Sequence, residues 1–156
     1  MLNDIIWRAI KRAQLPAHKE PTGLITHGGN RADVATLIPW SKGNPLARDV
    51  TVSDTYAYSH INMTSSKAGA AARQAASTKN TKYIDITSTH IFYPIAIETA
   101  GSWNVQALEL IEEIGRRITS AMEDPKETMY LFQRLSMVIQ RGNALSFFNT
   151  YDKNHV

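Results

Sequence analysis

The chain has 156 residues, of which 43% are hydrophobic and 20% charged, as is normal for one folded domain with a single core. Its formal net charge of +3 permits a polyanionic partner without requiring one. The absence of cysteine excludes disulfides and thiolate metal sites, and no apolar stretch approaches the roughly 20 residues that span a bilayer. We therefore expect a soluble protein with one domain over residues 1–150 and a polar tail over residues 151–156.

The first third of the chain predicts one helix and three strands. Apolar residues at helical spacing indicate an amphipathic helix over residues 3–14, and residues 18–25 are a candidate first strand. Two further apolar, β-branched runs contain Asp33 and Asp49, and residues 41–45 between them include the Gly, Asn and Pro of a turn. These two runs therefore predict an antiparallel hairpin.

The rest of the chain predicts three helices and one more strand. An alanine-rich helix is expected over residues 65–84, and the strand over residues 91–97 carries a proline that indicates an edge or a bulge. Glu98 after this strand is expected to be a rim charge. Helices over 104–122 and 126–145 close the chain. The order α-β-β-β-α-β-α-α predicts an α/β fold, with a mixed central sheet of about four strands flanked by helices and two C-terminal helices.

Asp33 and Asp49 are the strongest candidates for a functional role. In a hairpin centred on Ser41 they stand opposite each other, and facing residues of an antiparallel pair project to the same side of the sheet. Two carboxylates that meet on an otherwise apolar sheet need a cation. The alternative is that each acid caps a strand end or pairs with a neighbouring arginine, Arg31 or Arg48.

Further side chains extend this candidate site. Carboxylates that hold Mg²⁺ provide the charge neutralisation and the activated water that phosphodiester hydrolysis requires. Lys79 and Lys82 lie on one side of a helix end, where a lysine can steady the reacting phosphate; alternatively, both merely complement the helix macrodipole. Glu20 is either a third metal ligand or a surface carboxylate. Thr51 shares the strand face of Asp49, as a hydrogen-bonding neighbour or simply as a strand former.

Three motifs follow one another along the chain: Arg31-Ala32-Asp33, Asp49-Val50-Thr51-Val52 and Lys79-Asn80-Thr81-Lys82-Tyr83. Segments such as Thr36-Leu37-Ile38-Pro39-Trp40 and Gln140-Arg141-Gly142-Asn143-Ala144 accompany them. In this combination, which spans most of the chain, the sequence resembles the restriction-like endonuclease domain of the PD-(D/E)xK nuclease superfamily. It is most similar to the version that follows reverse transcriptase in certain non-LTR retrotransposons and related mobile-element proteins.

The resemblance implies a DNA endonuclease that depends on Mg²⁺ or Mn²⁺ and nicks target DNA to prime reverse transcription. It implies metal ligands at Asp33 and Asp49, a catalytic lysine at Lys79 or Lys82, and Tyr83 packed beside the phosphate. It also implies DNA as the partner and an adjoining reverse transcriptase domain, so that this chain is a fragment or a domain encoded alone. The expected location is intracellular, and nuclear if the element is eukaryotic.

Two positions depart from the pattern of that superfamily. Ala32 stands where the pattern has proline, and Thr51 stands where its commonest form has a lysine on the strand. An active enzyme would therefore take its lysine from the helix, at Lys79 or Lys82. If neither amine reaches the acids, the alternative is a catalytically degenerate domain of the same fold, kept for nucleic-acid binding or as a structural remnant.

Overall fold

The protein folds as an α/β domain, as the order of its elements predicts. A computed structural model describes the backbone of residues 1–20 and 31–154 and the side chains of residues 1–20 and 31–145. None of the helices in these ranges combines the length and apolarity that crossing a bilayer requires. The elements are α1 (Leu2–Arg12), β1 (Ala17–Lys19), β2 (Val34–Thr36), β3 (Leu46–Ser53), α2 (Ile61–Thr64), α3 (Ala70–Lys82), a 3₁₀ helix (Ile84–Ser88), β4 (Ile91–Glu98), α4 (Val105–Met122) and α5 (Glu127–Asn154).

The four described strands form one mixed sheet in the order β1-β2-β3-β4. β2 is antiparallel to both β1 and β3, whereas β3 and β4 are parallel. Parallel neighbours need a crossover connection, which α2 and α3 provide. β4 lies at the edge of the sheet, so the edge position predicted from Pro94 is confirmed.

Helices cover both faces of the sheet, as strands that are apolar on both sides predict. On one face, Leu46 of β3 and Ile95 of β4 belong to the main core, which they share with α1, α4 and α5. On the other face, Ala96 of β4 packs against Ala76 of α3, and the small side chains let this helix lie close to the sheet. Because side chains alternate along a strand, Asp49 projects to the α3 face.

A buried carboxylate holds the start of α3 against the sheet. Glu98 at the end of β4 is 1% exposed, and one of its oxygens accepts a hydrogen bond of 3.1 Å from the N–H of Ala72 in the first turn of α3. Its other oxygen accepts a hydrogen bond from the hydroxyl of Thr55. The rim position expected for Glu98 is therefore wrong. The first N–H groups of a helix lack backbone partners, so they favour an acid at this point.

Some element boundaries differ from those expected. The helix expected over residues 65–84 begins only at Ala70, because Gly69 adopts a left-handed φ of 77° immediately before α3. The short helix α2 before it has no counterpart in the sequence prediction. α5 continues to Asn154, beyond its expected end. The strand expected over residues 18–25 is represented by β1, while residues 21–25 lie outside the described residues.

The contact between α4 and α5 is so close that only glycine fits at Gly115. A Cβ at this position would lie 2.3 Å from Oγ1 and 2.7 Å from Cα of Thr128. We therefore expect Gly115→Ala to lower the free energy of unfolding by about 2 kcal/mol, because overpacking outweighs the gain in helix propensity. Denaturation by urea measures the difference.

Gly142 in α5 provides the matched control. A Cβ added there meets no described atom within 4 Å. Gly142→Ala is therefore expected to raise the free energy of unfolding by up to about 1 kcal/mol through helix propensity alone. If Gly115→Ala were as stable as Gly142→Ala, the close approach of the two helices would not limit the residue at Gly115.

Candidate active site

Two acids lie side by side where the chain enters β2. The register pairs Val34 with Arg48, so that Asp33, one residue earlier, stands beside Asp49, one residue later. The N–H of Asp33 donates to the carbonyl of Arg48 at 2.9 Å, and its carboxylate accepts the N–H of Val50 at 2.7 Å. The register thus sets the two acids side by side, as a hairpin centred on the intervening turn predicts, and the charge of Asp49 acts on the carboxyl of Asp33.

The two acids repel each other when both are ionised. Asp49 is 5% exposed, and Asp33 is half-buried. Burial raises the pKa of Asp33 to about 6; the hydrogen bond from Val50 opposes this shift, and the charge of Asp49 reinforces it. Near neutral pH the Asp33 carboxyl is therefore mostly ionised despite the neighbouring charge of Asp49, and a bound cation would relieve this repulsion.

Of the two candidate lysines, Lys79 reaches the acids. Its Nζ forms an ion pair with Oδ2 of Asp49, and its side chain is only 21% exposed. Lys82, one turn later on α3, is exposed, and its Nζ lies 5.6 Å from the centre of the Tyr83 ring. Lys79 thus provides the positive charge next to the acids, whereas Lys82 lies at the border of the site.

Tyr83 packs beneath the site. Its ring is 2% exposed and contacts Phe92, with the ring centroids 4.7 Å apart. Ala32, in the position where the superfamily has proline, is fully buried in the same apolar cluster. The Tyr83 hydroxyl donates a hydrogen bond of 2.8 Å to the carbonyl of Arg31. Burial raises the pKa of the phenol, and the charge of Asp49 adds to the effect, so Tyr83 stays protonated.

A buried arginine lies behind the acids on the opposite face of β3. Arg48 is fully buried, and its Nη2 donates to the carbonyl of Asn3 in α1 at 3.0 Å. Within the described ranges, its Nε and Nη1 have no hydrogen-bond partner. Burial lowers the pKa of Arg48 to about 10, while the charges of Asp33 and Asp49 oppose that shift. The guanidinium therefore acts on the acids through its charge, from across the sheet.

The two remaining candidates lie at the edges of the acid pair. The side chain of Glu20 is exposed, and its N–H donates to the carbonyl of Asp33 at 2.8 Å. Among the side chains that the structure describes, no three His, Asp or Glu residues are grouped to hold a metal ion. The structure does not join Glu20 to the pair, and its role as a ligand stays a prediction. Thr51 lies on the same face as Asp49, as predicted, and lines a cavity of about 270 Å³ with Lys79.

The donor atoms of the pair suit a hard divalent cation. Mg²⁺ and Mn²⁺ prefer oxygen ligands, and Mg²⁺ is often held by one or two carboxylates while water and substrate phosphates complete its coordination. Asp33 and Asp49 offer two neighbouring carboxylates, one of them with a raised pKa. The residues present therefore fit a Mg²⁺ or Mn²⁺ ion that is held partly by substrate.

His60 belongs to this region although its sequence context does not indicate a site. It precedes the short helix α2 and lines the same cavity as Thr51 and Lys79. Its Nδ1 lies 3.0 Å from the carbonyl of Asp54. Because a carbonyl only accepts hydrogen bonds, we assign the ring proton to Nδ1, which leaves Nε2 as an acceptor. Only the tertiary fold brings this side chain to the cavity that Lys79 lines.

The site thus combines two carboxylates, one amine and a buried tyrosine, contributed by β2, β3 and the end of α3. The amine and the tyrosine come from the same helix end, and the two acids come from two other segments. Comparison of the sequence with protein-family models and with curated proteins finds no match.

Proposed function

We propose that the protein is a metal-dependent DNA endonuclease domain that nicks DNA by hydrolysing a phosphodiester bond. The observation that carries the proposal is the strand register that sets Asp33 beside Asp49, with the amine of Lys79 ion-paired to Asp49. Paired carboxylates and a neighbouring cation are the groups that metal-assisted phosphodiester hydrolysis uses. The element order and the motifs that resemble PD-(D/E)xK nucleases support the same proposal.

The proposal extends to the partners that the resemblance implies. DNA is the proposed substrate, and Mg²⁺ or Mn²⁺ is the proposed cofactor. An adjoining reverse transcriptase domain would use the nicked strand as its primer. An intracellular location, nuclear for a eukaryotic element, follows from the same resemblance.

In the proposed reaction, a water oxygen bonds to phosphorus while the bond from phosphorus to the leaving sugar oxygen breaks. The attacking water loses a proton to solvent, and the leaving oxygen takes up a proton from solvent. The divalent ion supplies Lewis acidity at the phosphate when it is bound by Asp33 and Asp49. Lys79 places positive charge where the phosphate becomes more negative. Tyr83 keeps its proton and, by donating to the carbonyl of Arg31, holds the segment that leads into Asp33.

A larger cavity elsewhere in the protein is a weaker candidate for a metal-dependent active site. It measures about 460 Å³ and lies between α3 and the start of α4, with Arg73, Asn80 and Gln106 among its lining residues. None of its described lining residues carries a carboxylate. The acid pair is therefore the better candidate for a metal-dependent reaction.

Nicking of supercoiled plasmid tests the proposal. The wild type is expected to convert the plasmid to open circles in Mg²⁺ or Mn²⁺, and EDTA is expected to abolish the reaction. Asp33→Ala removes one carboxylate, so we expect its nicking rate to fall by about 100-fold or more. Glu109→Ala, which removes an exposed acid from α4, is the matched control. Equal nicking by the wild type and Asp33→Ala would exclude Asp33 from the mechanism.

One observation favours a second candidate function, a catalytically degenerate domain that binds nucleic acid. The ion pair between Lys79 and Asp49 already neutralises part of the acidic charge without a metal. If this alternative is correct, the affinity for DNA should decrease as the salt concentration rises, because salt screens the contacts with phosphates. The affinity should also be unchanged when both acids are replaced. The plasmid should remain uncut with every metal ion tested.

A further inference from the structure

Positive charge is concentrated in the connection between β3 and β4. Residues 55–84 contain four cationic side chains, Lys67, Arg73, Lys79 and Lys82, and no Asp or Glu. With the flanking Asp54 and Asp85, the whole connection over residues 54–90 carries a formal charge of +2. Lys67, Arg73 and Lys82 are exposed. The complementary partner of this segment is a polyanion.

The loop that opens this segment presents a tyrosine to solvent. Tyr58 is 97% exposed, so the faces of its ring are accessible for stacking on a nucleobase. It lies two residues before His60, which lines the cavity beside Lys79. Tyr56 is also exposed, but it borders a separate cleft next to α5. Tyr58 is therefore the aromatic side chain that accompanies the positive charge near the acids.

The cavity beside Lys79 and this loop is small and carries several polar groups. Its lining includes the hydroxyls of Thr51 and Thr78, the imidazole of His60 and the amine of Lys79, and its volume is about 270 Å³. These groups can donate and accept hydrogen bonds, so the cavity suits one phosphate or one base edge of a strand that passes over it.

We propose that the loop over residues 54–60 and α3 form a binding surface for single-stranded DNA next to the acid pair. One strand runs from the acids over the small cavity, Tyr58 stacks on an unpaired base, and the exposed side chain of Lys82 contacts a phosphate. A stacking tyrosine requires a base whose face is not covered by its neighbours, which favours an unpaired strand over a duplex. The inference rests on the proposed function, because it takes the acid pair as the point of cleavage.

Fluorescence anisotropy with a labelled 20-nucleotide oligothymidylate in EDTA tests the surface without any cleavage. We expect Tyr58→Ala to bind the oligonucleotide about tenfold more weakly than the wild type, because a base-stacking contact is lost. Tyr58→Phe keeps the ring and is expected to bind within about twofold of the wild type. Tyr130→Ala, at an exposed tyrosine on α5 across the sheet, is the matched control and is expected to bind like the wild type.

The binding of the same variants to a 20-base-pair duplex is measured in the same way. The affinity of Tyr58→Ala for the duplex is expected to stay within about twofold of the wild-type value. A wild type that does not bind the oligothymidylate, unchanged binding by Tyr58→Ala, or an equal loss on the duplex would overturn the inference. Because the assay omits metal, a protein that shows the expected binding but never nicks plasmid would contradict only the endonuclease proposal.

Discussion

At saturating plasmid, replacing Lys79 by methionine is expected to lower the rate of metal-dependent nicking by about 100-fold or more. Lys82→Met loses only a phosphate contact that acts on binding, so its rate at saturating plasmid is expected to stay within about threefold of the wild type. The two changes remove the same charge from the same helix and keep most of the side-chain length. They differ in position, because Lys79 is paired with Asp49 while Lys82 is exposed. Initial rates at saturating Mg²⁺ measure the difference.

Thermal unfolding of both variants serves as the control for folding. Lys79→Met leaves Asp49 without its ion-pair partner, so its melting temperature must be compared with that of the wild type before the rates are interpreted. Loss of nicking in Lys82→Met together with normal nicking in Lys79→Met would assign the catalytic amine to Lys82. Normal nicking in both variants would exclude a lysine of α3 from the reaction.

Mg²⁺ is expected to stabilise the wild type and to leave Asp33→Asn unchanged. At a Mg²⁺ concentration of ten times the dissociation constant, binding to the native state alone adds about 1.4 kcal/mol, which raises the melting temperature by roughly 3–6 °C. Asp33→Asn loses one ligand and the repulsion from Asp49 that the cation would relieve. Differential scanning fluorimetry with MgCl₂, compared with NaCl of equal ionic strength, measures the shift.

The stabilisation by Mg²⁺ is also expected to grow with pH. Because burial raises the pKa of Asp33 to about 6, this carboxyl is mostly protonated at pH 5 and mostly ionised at pH 8. A metal ligand must be deprotonated, so at the same Mg²⁺ concentration the added stability should fall from about 1.4 kcal/mol at pH 8 to about 0.4 kcal/mol at pH 5. Glu109→Gln should behave like the wild type; an equal shift in Asp33→Asn would show that Mg²⁺ binds elsewhere.

The side-by-side position of Asp33 and Asp49 could be predicted, because a hairpin is specified by residues that are close together in the sequence. Residues 41–45 mark the reversal, and the β-branched runs on either side define the strands. Symmetry about Ser41 then places Asp33 opposite Asp49, and the observed pairing of Val34 with Arg48 has that register. The proline of β4 predicted the edge of the sheet in the same way, since proline cannot donate a ladder hydrogen bond.

The choice between Lys79 and Lys82 depends on packing and could not be predicted. Both lie on one side of α3, and which amine reaches Asp49 depends on how the helix is rotated and positioned over the sheet. The contact between Ala76 and Ala96 sets that position. The sequence by itself determined the fold class, the order of the elements and the pairing of the acids, because periodicity and turn residues act over short stretches of chain. Only the tertiary structure decided which amine joins them and that Glu98 is buried, because such contacts join segments that are distant in sequence.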